Sequence, residues 1–188
     1  MEFSFSKLTN DVKLVLVNPN GFWVEQKETE NSDKLWLNYL LPIAIAGALA
    51  VFVGEFFKRT DFFIQFPLLK AFREILLFVL QYFVSVFFTT ELMKTFGAEK
   101  NIDVARKLVV FSMTPMLLVS LITGLFPFLY VVDIFGMYSF YLFWVGAKQL
   151  LTIPDNKEHS YILITIVVNF FIFSFLSVFL SKLLNALY

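Results

Sequence analysis

Long apolar runs alternate with short charged segments along the chain, and the longest run is Leu108–Ala147. Its forty residues contain one charged side chain, Asp133, and one turn signal, at residues 123–127. An α-helix rises about 1.5 Å per residue, so this run would measure about 60 Å as helix, which is two crossings of a ~30 Å hydrocarbon layer. The pattern therefore predicts a membrane hairpin that holds one acid inside it.

Apolar runs of this kind occur five times. Apolar and polar residues do not alternate within them, as they would in the strands of a membrane barrel, so each run is predicted to be a helix. The predicted fold is all-α: a polytopic membrane protein in which residues 35–188 form a five-helix transmembrane bundle. The predicted spans are approximately residues 35–57, 68–93, 108–126, 128–147 and 160–182.

Residues 1–34 are predicted to form a cytoplasmic or interfacial amphipathic segment. They are acidic where a signal peptide would be basic, and their apolar stretches are short, so they are not read as a signal peptide. Apolar residues recur at helical spacing over Phe5–Leu16, and Asn18-Pro19 ends that helix. The pattern fits two arrangements, a helix lying in the membrane interface and a short helix packed against the bundle.

The distribution of Lys and Arg predicts the orientation of the spans. Of the 15 basic residues, ten fall in the N-terminal segment and in the loops after the second and fourth spans, and five fall on the other side. Cytoplasmic loops carry the excess of basic residues. We therefore expect a cytoplasmic N-terminus and, with five spans, an outer C-terminus.

Composition excludes several classes of function. Hydrophobic residues make up 59% of the chain and charged residues 16%, which is typical of an integral membrane protein. The net charge is zero, so nucleic acid is not an expected partner. The chain has no cysteine, which excludes disulfides, thiolate metal sites and cysteine nucleophiles.

Asp133 is the main candidate for an intramembrane polar site. It follows Pro127 by six residues, about 9 Å along an α-helix, so it would lie within the apolar layer. A lone carboxylate there must be protonated, paired or in contact with water. Two interpretations stay open: a structural pair with an Arg or Lys of the first outer loop, and an ion or proton site with Thr114 and Gln81 as further polar candidates.

Small and polar residues on other spans predict helix contacts. Pro42, Ala46, Ala50 and Gly54 recur every four residues, so one face of the first span would allow close approach of another helix. The second span carries a polar stripe, and the fifth a serine face, which we expect to face the bundle. The stripe is Glu74, Gln81, Ser85 and Thr89, and the face is Ser174, Ser177 and Ser181.

A basic cluster lies around the loop between the second and third spans. Its members are Lys94, Lys100, Arg106 and Lys107. Basic residues near the membrane surface attract anionic headgroups, by about 1 kcal/mol each. The cluster is therefore predicted to contact anionic lipid or, alternatively, an acidic cytoplasmic protein partner.

Catalytic and cofactor motifs are not found in the sequence. His159 is the sole histidine and lies in a loop, so neither a zinc site nor an intramembrane serine mechanism with a histidine base is expected. An intramembrane aspartyl mechanism needs two acids in adjacent spans, and Asp133 alone qualifies. We expect no catalytic residues, no metal and no cofactor, and predict that the protein is not an enzyme.

Three features follow one another in the chain: a tyrosine-rich fourth span, a short loop with proline and charged residues, and a fifth span that begins with tyrosine. These residues are Gly136–Gly146, Lys148, Pro154, Asp155, Lys157 and Tyr161, with Asn18-Pro19, Trp23 and Thr114-Pro115-Met116 elsewhere. Together they resemble the Yip1-domain family, in its short bacterial type. The resemblance implies five transmembrane helices, a cytoplasmic N-terminus and an outer C-terminus. Eukaryotic relatives bind Rab-type GTPases in vesicle trafficking, but their Asp-Leu-Tyr-Gly-Pro motif is not found here.

Two functional hypotheses follow for a protein of this kind in a bacterial cytoplasmic (inner) membrane. The first is a non-catalytic protein that organises the membrane, or binds lipid or a partner, through the basic cluster and the N-terminal segment. The alternative is a small-solute or ion permease that uses Asp133.

Overall fold

The computed structural model describes residues 4–29, 32–56 and 64–187. Within these ranges the chain is helical and has no strand, and five helices are long and apolar enough to cross a membrane. This confirms the predicted five-helix membrane fold. The spans are Trp36–Phe56, Gln65–Thr95, Ile102–Leu125, Pro127–Leu150 and Asp155–Ala186.

The N-terminal segment forms two helices, α1 (Phe5–Val17) and α2 (Pro19–Glu28). Asn18 separates them, because its side-chain Oδ1 accepts the Gly21 N–H at 3.2 Å and so caps α2. Phe22 and Trp23 of α2 are almost fully buried. α2 therefore packs against the bundle, and α1 packs mainly against α2.

The first two spans are continuous helical elements. The first begins with a short π-helix, Trp36–Leu40, and continues as α3 (Leu41–Phe56). The second is α4 (Gln65–Thr95).

The third span is broken into α5 (Ile102–Ser112) and α6 (Thr114–Leu125). Pro115 lies in the first turn of α6, where its missing N–H disturbs no helical hydrogen bond. The span begins six residues before its predicted start, because the Asn101 side chain accepts the N–H groups of Asp103 and Val104, each at 3.0 Å. The helix thus extends through charged residues at which the apolar pattern stops.

The fourth span differs from a simple α-helix. It starts as a 3-10 helix, Pro127–Met137, which we call the 3-10 arm, and continues as α7 (Tyr138–Leu150). A 3-10 helix rises about 2.0 Å per residue, more than the roughly 1.5 Å of the α-helix that the sequence predicts for this stretch. The backbone also bends at Leu129 (φ −88°, ψ 29°). The last element is α8 (Asp155–Leu187).

Alternating spans give the bundle two ends. The N-terminal side holds α1, α2 and the loops after α4 and α7, where Pro154 lies 3.8 Å from a Cβ placed on Gly97. The opposite side holds the end of α3, the start of α4, the turn from α6 into the 3-10 arm and the end of α8.

Glycines allow the closest helix contacts. A Cβ on Gly54 would lie 1.9 Å from the carbonyl oxygen of Gly124, so α3 and α6 touch backbone to backbone. This is the close approach predicted for the small face of the first span. Ala50 and Gly54 are buried there, whereas Pro42 and Ala46 are half-buried.

Candidate functional site

Charged side chains of two helices, α3 and α4, meet on the opposite side. Lys70 of α4 donates a hydrogen bond to Glu55 of α3, and Arg73 donates from Nη1 to Glu74 Oε2 at 2.9 Å. Glu55 and Glu74 are only 4% and 8% exposed. Two acids thus lie inside the bundle, each beside a cation that offsets the free-energy cost of burying its charge.

Arg73 also ties α4 to α8. Its Nη2 donates to the Ser177 carbonyl at 2.9 Å and to the hydroxyls of Ser177 and Ser181 at 2.8 and 3.0 Å. Ser120 of α6 donates to the other oxygen of Glu74. The serine face of the fifth span and the polar stripe of the second therefore meet through one arginine, which the sequence did not identify as a link between them.

A cavity of about 400 Å³ opens next to these pairs. It lies between the 3-10 arm, α4, α6 and α8, because the arm packs mainly against α6 and leaves a gap toward α4 and α8. Its charged lining residues are Lys70, Arg73, Glu74 and Asp133. Apolar side chains, among them Leu77, Phe78 and Phe173, line the rest. We call this space the charged cavity.

Asp133 lies in the exposed part of the charged cavity. Among the residues that the structure describes, no hydrogen bond or ion pair to its carboxyl group is found. Of the basic residues that the sequence offered as partners, Lys70 and Arg73 line the same cavity, and Lys58 and Arg59 lie outside the described residues. The described lining of the cavity therefore contains two cations and two acids.

Thr114 and Gln81 lie apart from Asp133. The Thr114 hydroxyl donates to the Phe111 carbonyl at 2.7 Å and accepts from the Tyr39 hydroxyl at 2.7 Å, in a fully buried position. Gln81 lines a different, smaller cavity between α4, α5, α7 and α8. The three predicted candidates therefore do not form one site.

The basic cluster on the N-terminal side is largely engaged in contacts within the chain. Lys94 is exposed, and Lys100 is exposed but pairs with Glu91. Arg106 pairs with both Asp33 and Asp103. The cluster therefore offers less free positive charge than its sequence predicts.

Lys107 is buried, unlike the surface position expected of a headgroup contact. Its Nζ donates to the Gln26 carbonyl at 2.9 Å and to the Thr29 carbonyl. These are carbonyls at the C-terminal end of α2, where a cation is stabilised by the helix dipole. Lys107 thus fixes α2 to α5.

A second cavity, of about 190 Å³, lies beneath α1 on the N-terminal side. Its charged lining residues include Lys7, Asp11 and Lys34. Burial raises the pKa of Asp11, and the nearby Lys7 partly offsets this by lowering it.

Comparison with known proteins identifies a family but no individual relative. The family model of the Yip1 domain matches residues 13–178. No curated protein and no solved structure matches the chain.

Proposed function

We propose that this chain, which belongs to the Yip1 family and is an integral membrane protein, is a non-catalytic lipid-interaction protein that holds a phospholipid headgroup in the charged cavity. One observation carries the proposal: a single space combines cations, acids and an apolar wall. Its volume of about 400 Å³ is within the range of roughly 300–1,000 Å³ typical of small-molecule sites.

The cations offer donors for a phosphate group. The Arg73 side chain lines the cavity and is 17% exposed. Lys70 Nζ carries three donors, and its side chain is 33% exposed beside Glu55. Arg and Lys both bind phosphate, Arg in a planar geometry and Lys as a point charge.

Asp133 favours a headgroup that also carries an amine. The described lining holds two acids beside its two cations, which disfavours a purely anionic lipid, and a primary ammonium can donate hydrogen bonds to the Asp133 carboxyl group. The headgroup that meets both conditions is phosphoethanolamine, so phosphatidylethanolamine is the proposed ligand, preferred over phosphatidylglycerol.

Exposed apolar side chains beside the cavity would contact the acyl chains. Ile134 and Phe135 follow Asp133 in the chain, and Val178 follows Ser177; they are 64%, 67% and 56% exposed. Since exposed apolar surface in a transmembrane segment faces lipid, the mouth of the cavity is accessible to a lipid from the side.

The proposal is tested by the thermal stability of delipidated protein. Added phosphatidylethanolamine should raise the melting temperature, because a ligand that binds the folded state stabilises it by mass action. Lys70→Gln should reduce this increase, whereas Lys94→Gln, an exposed lysine on the N-terminal side, should leave it intact. An equal increase in the parent protein and in Lys70→Gln would contradict the proposal.

The permease alternative has less support. It uses Asp133, and the further polar candidates Thr114 and Gln81 both lie apart from that residue. Solute flux in proteoliposomes that is lost in Asp133→Asn would favour it over lipid binding.

We also propose the orientation and family subtype expected from the sequence: a cytoplasmic N-terminus, an outer C-terminus and the short bacterial type, in an inner membrane. The Lys and Arg distribution supports the orientation. Because the chain has no cysteine, single cysteines at Lys27 and Lys182 can be labelled separately. An impermeant maleimide applied to intact cells should label the second variant and not the first; the reverse would invert the topology.

A further inference from the structure

A groove on the N-terminal side carries aromatic and acidic side chains together. It lies between the π-helix Trp36–Leu40, α4 and the start of α5, and has a volume of about 290 Å³. Four aromatic side chains line it: Trp36, Tyr82, Phe83 and Phe87. Its charged lining residues are Asp33, Glu91 and Arg106. We call this space the aromatic groove.

The aromatic rings pack edge to face along the groove. The ring centroids of Trp36 and Phe83 lie 5.5 Å apart, and those of Tyr82 and Phe83 lie 5.2 Å apart. Tyr82 is 2% exposed, whereas Phe87 is 59% exposed. Since exposed apolar side chains of a transmembrane span face lipid, a molecule dissolved in the membrane can enter the groove from the side.

The groove changes from apolar to charged along α4. Phe83, Phe87 and Glu91 follow one another at intervals of four residues, so they share one face of the helix. The stretch from Phe83 to Glu91 measures about 12 Å as α-helix. Glu91 lies in the last turns of α4, toward the N-terminal side. The groove therefore suits an amphiphile whose charged group lies at the membrane surface and whose apolar part points into the membrane.

The ion pairs at the charged end favour a cation. Arg106 pairs with both Asp33 and Asp103, and Glu91 pairs with Lys100. These five residues therefore contain three acids and two cations. The side chains of Asp33 and Glu91 are 70% and 46% exposed. Because exposed ion pairs are weak, the two carboxylates can accept a further cation.

We propose that the aromatic groove binds an amphiphilic organic cation, with its ammonium group near Asp33 and Glu91 and its apolar part against the aromatic rings. A cation within about 6 Å of an aromatic ring is attracted to the ring face, most strongly to that of tryptophan, and quaternary ammonium groups are recognised in this way. Trp36 offers such a ring beside the acids. The site is independent of the phospholipid proposal, since none of its lining residues lines the charged cavity.

Quenching of tryptophan emission tests the site. The probe is undecyltrimethylammonium with a terminal bromine, a heavy atom that quenches tryptophan at short range, added to the full chain in phosphatidylcholine nanodiscs. We expect a saturable loss of emission in the parent protein, in addition to the linear loss caused by probe dissolved in the bilayer. Trp36→Phe should remove the saturable part, whereas Trp144→Phe, at a half-buried tryptophan outside the groove, should retain it. A saturable part that is absent from the parent, or equal in Trp36→Phe, would overturn the proposal.

Two further comparisons test the sign of the charge. A carboxylate with the same brominated chain should give no saturable quenching. Glu91→Gln should raise the probe concentration at half-saturation several-fold, whereas Glu28→Gln, at an exposed acid of α2 outside the groove, should leave it unchanged. If the carboxylate quenches as strongly as the cation, or if Glu91→Gln binds the cation as the parent does, the groove does not select cations and the proposal fails.

Discussion

The two sides of the bundle both carry buried or half-buried cations, but the contacts of those cations differ. On the N-terminal side, Lys107 and Arg106 bind carbonyls and carboxylates that join α5 to the segment before the first span. On the opposite side, Lys70 and Arg73 are also paired, yet they line an open cavity that contains Asp133. A charged residue in a membrane protein is therefore a candidate for ligand binding only where its neighbours leave space for the ligand.

The largest expected effect concerns the helix contact beside the charged cavity. Gly54→Ala should destabilise the protein by at least about 3 kcal/mol, because the new Cβ would collide with the Gly124 carbonyl oxygen. Gly47→Ala is the matched control, since its Cβ would meet the Ser120 hydroxyl at an ordinary 3.6 Å. Thermal unfolding in detergent measures both. Equal melting temperatures for the two variants would show that α3 and α6 are not in backbone contact.

On the N-terminal side, Lys107→Met should cost about 2 kcal/mol of stability. Methionine is unbranched and apolar, like the hydrocarbon stem of lysine, but it has no N–H group. The Gln26 and Thr29 carbonyls therefore lose their donor. Lys94→Met removes the same charge from an exposed position and should change little. If both variants unfold at the parent temperature, Lys107 does not hold α2 in place.

A smaller effect is expected from Asp11. Because burial raises its pKa, the folded protein binds this proton more tightly than the unfolded chain does. The free energy of unfolding should therefore fall as the pH rises from the ordinary pKa of an aspartate through the raised one. Lys7 and Glu25 both act on this carboxyl group, in opposite directions.

Asp11→Asn should remove that pH dependence and slightly raise the melting temperature at pH 7. Melting temperatures measured at several pH values between about 4 and 7 show whether the slope of melting temperature against pH differs between parent and variant. Parallel curves for parent and variant would mean that Asp11 does not contribute.

The smallest effect on stability is expected at the residue most important for ligand binding. Asp133→Asn should change the free energy of unfolding of delipidated protein by less than about 0.5 kcal/mol, because the side chain is exposed and no described residue bonds to it. Chemical or thermal unfolding without added lipid gives the value. A loss as large as that of Lys107→Met would make Asp133 a structural residue.

The five spans are predictable from the sequence because a helix in the bilayer must satisfy its own backbone hydrogen bonds and carry apolar side chains over its whole crossing. Each span therefore appears as a long apolar run. The ends of the helices were harder to predict. The apolar pattern stops at Leu108, but the cap at Asn101 carries the helix through charged residues. The 3-10 arm was also missed, because its apolar composition equally suits an α-helix.

The candidate site was predictable in part. Asp133 was identified because a lone acid in an apolar run is costly, and basic residues of the first outer loop were named as its candidate partners, whereas Lys70 and Arg73 lie in the first turns of α4. The sequence does not show which basic residues are buried and bonded within the chain and which are exposed. Lys94 and Lys107 look alike there, and only the packing of α2 against α5 brings the carbonyl of Gln26, 81 residues away in the chain, to Lys107.

The central claim, that the charged cavity binds an amine-bearing phospholipid, is tested most directly by native mass spectrometry. Parent protein and Asp133→Asn are released from nanodiscs that contain equal amounts of phosphatidylethanolamine and phosphatidylglycerol, and the retained lipids are identified. The parent should retain phosphatidylethanolamine in excess, and Asp133→Asn should lose that excess. Retention of both lipids in equal amounts by both proteins, or of neither lipid by the parent, would contradict the claim.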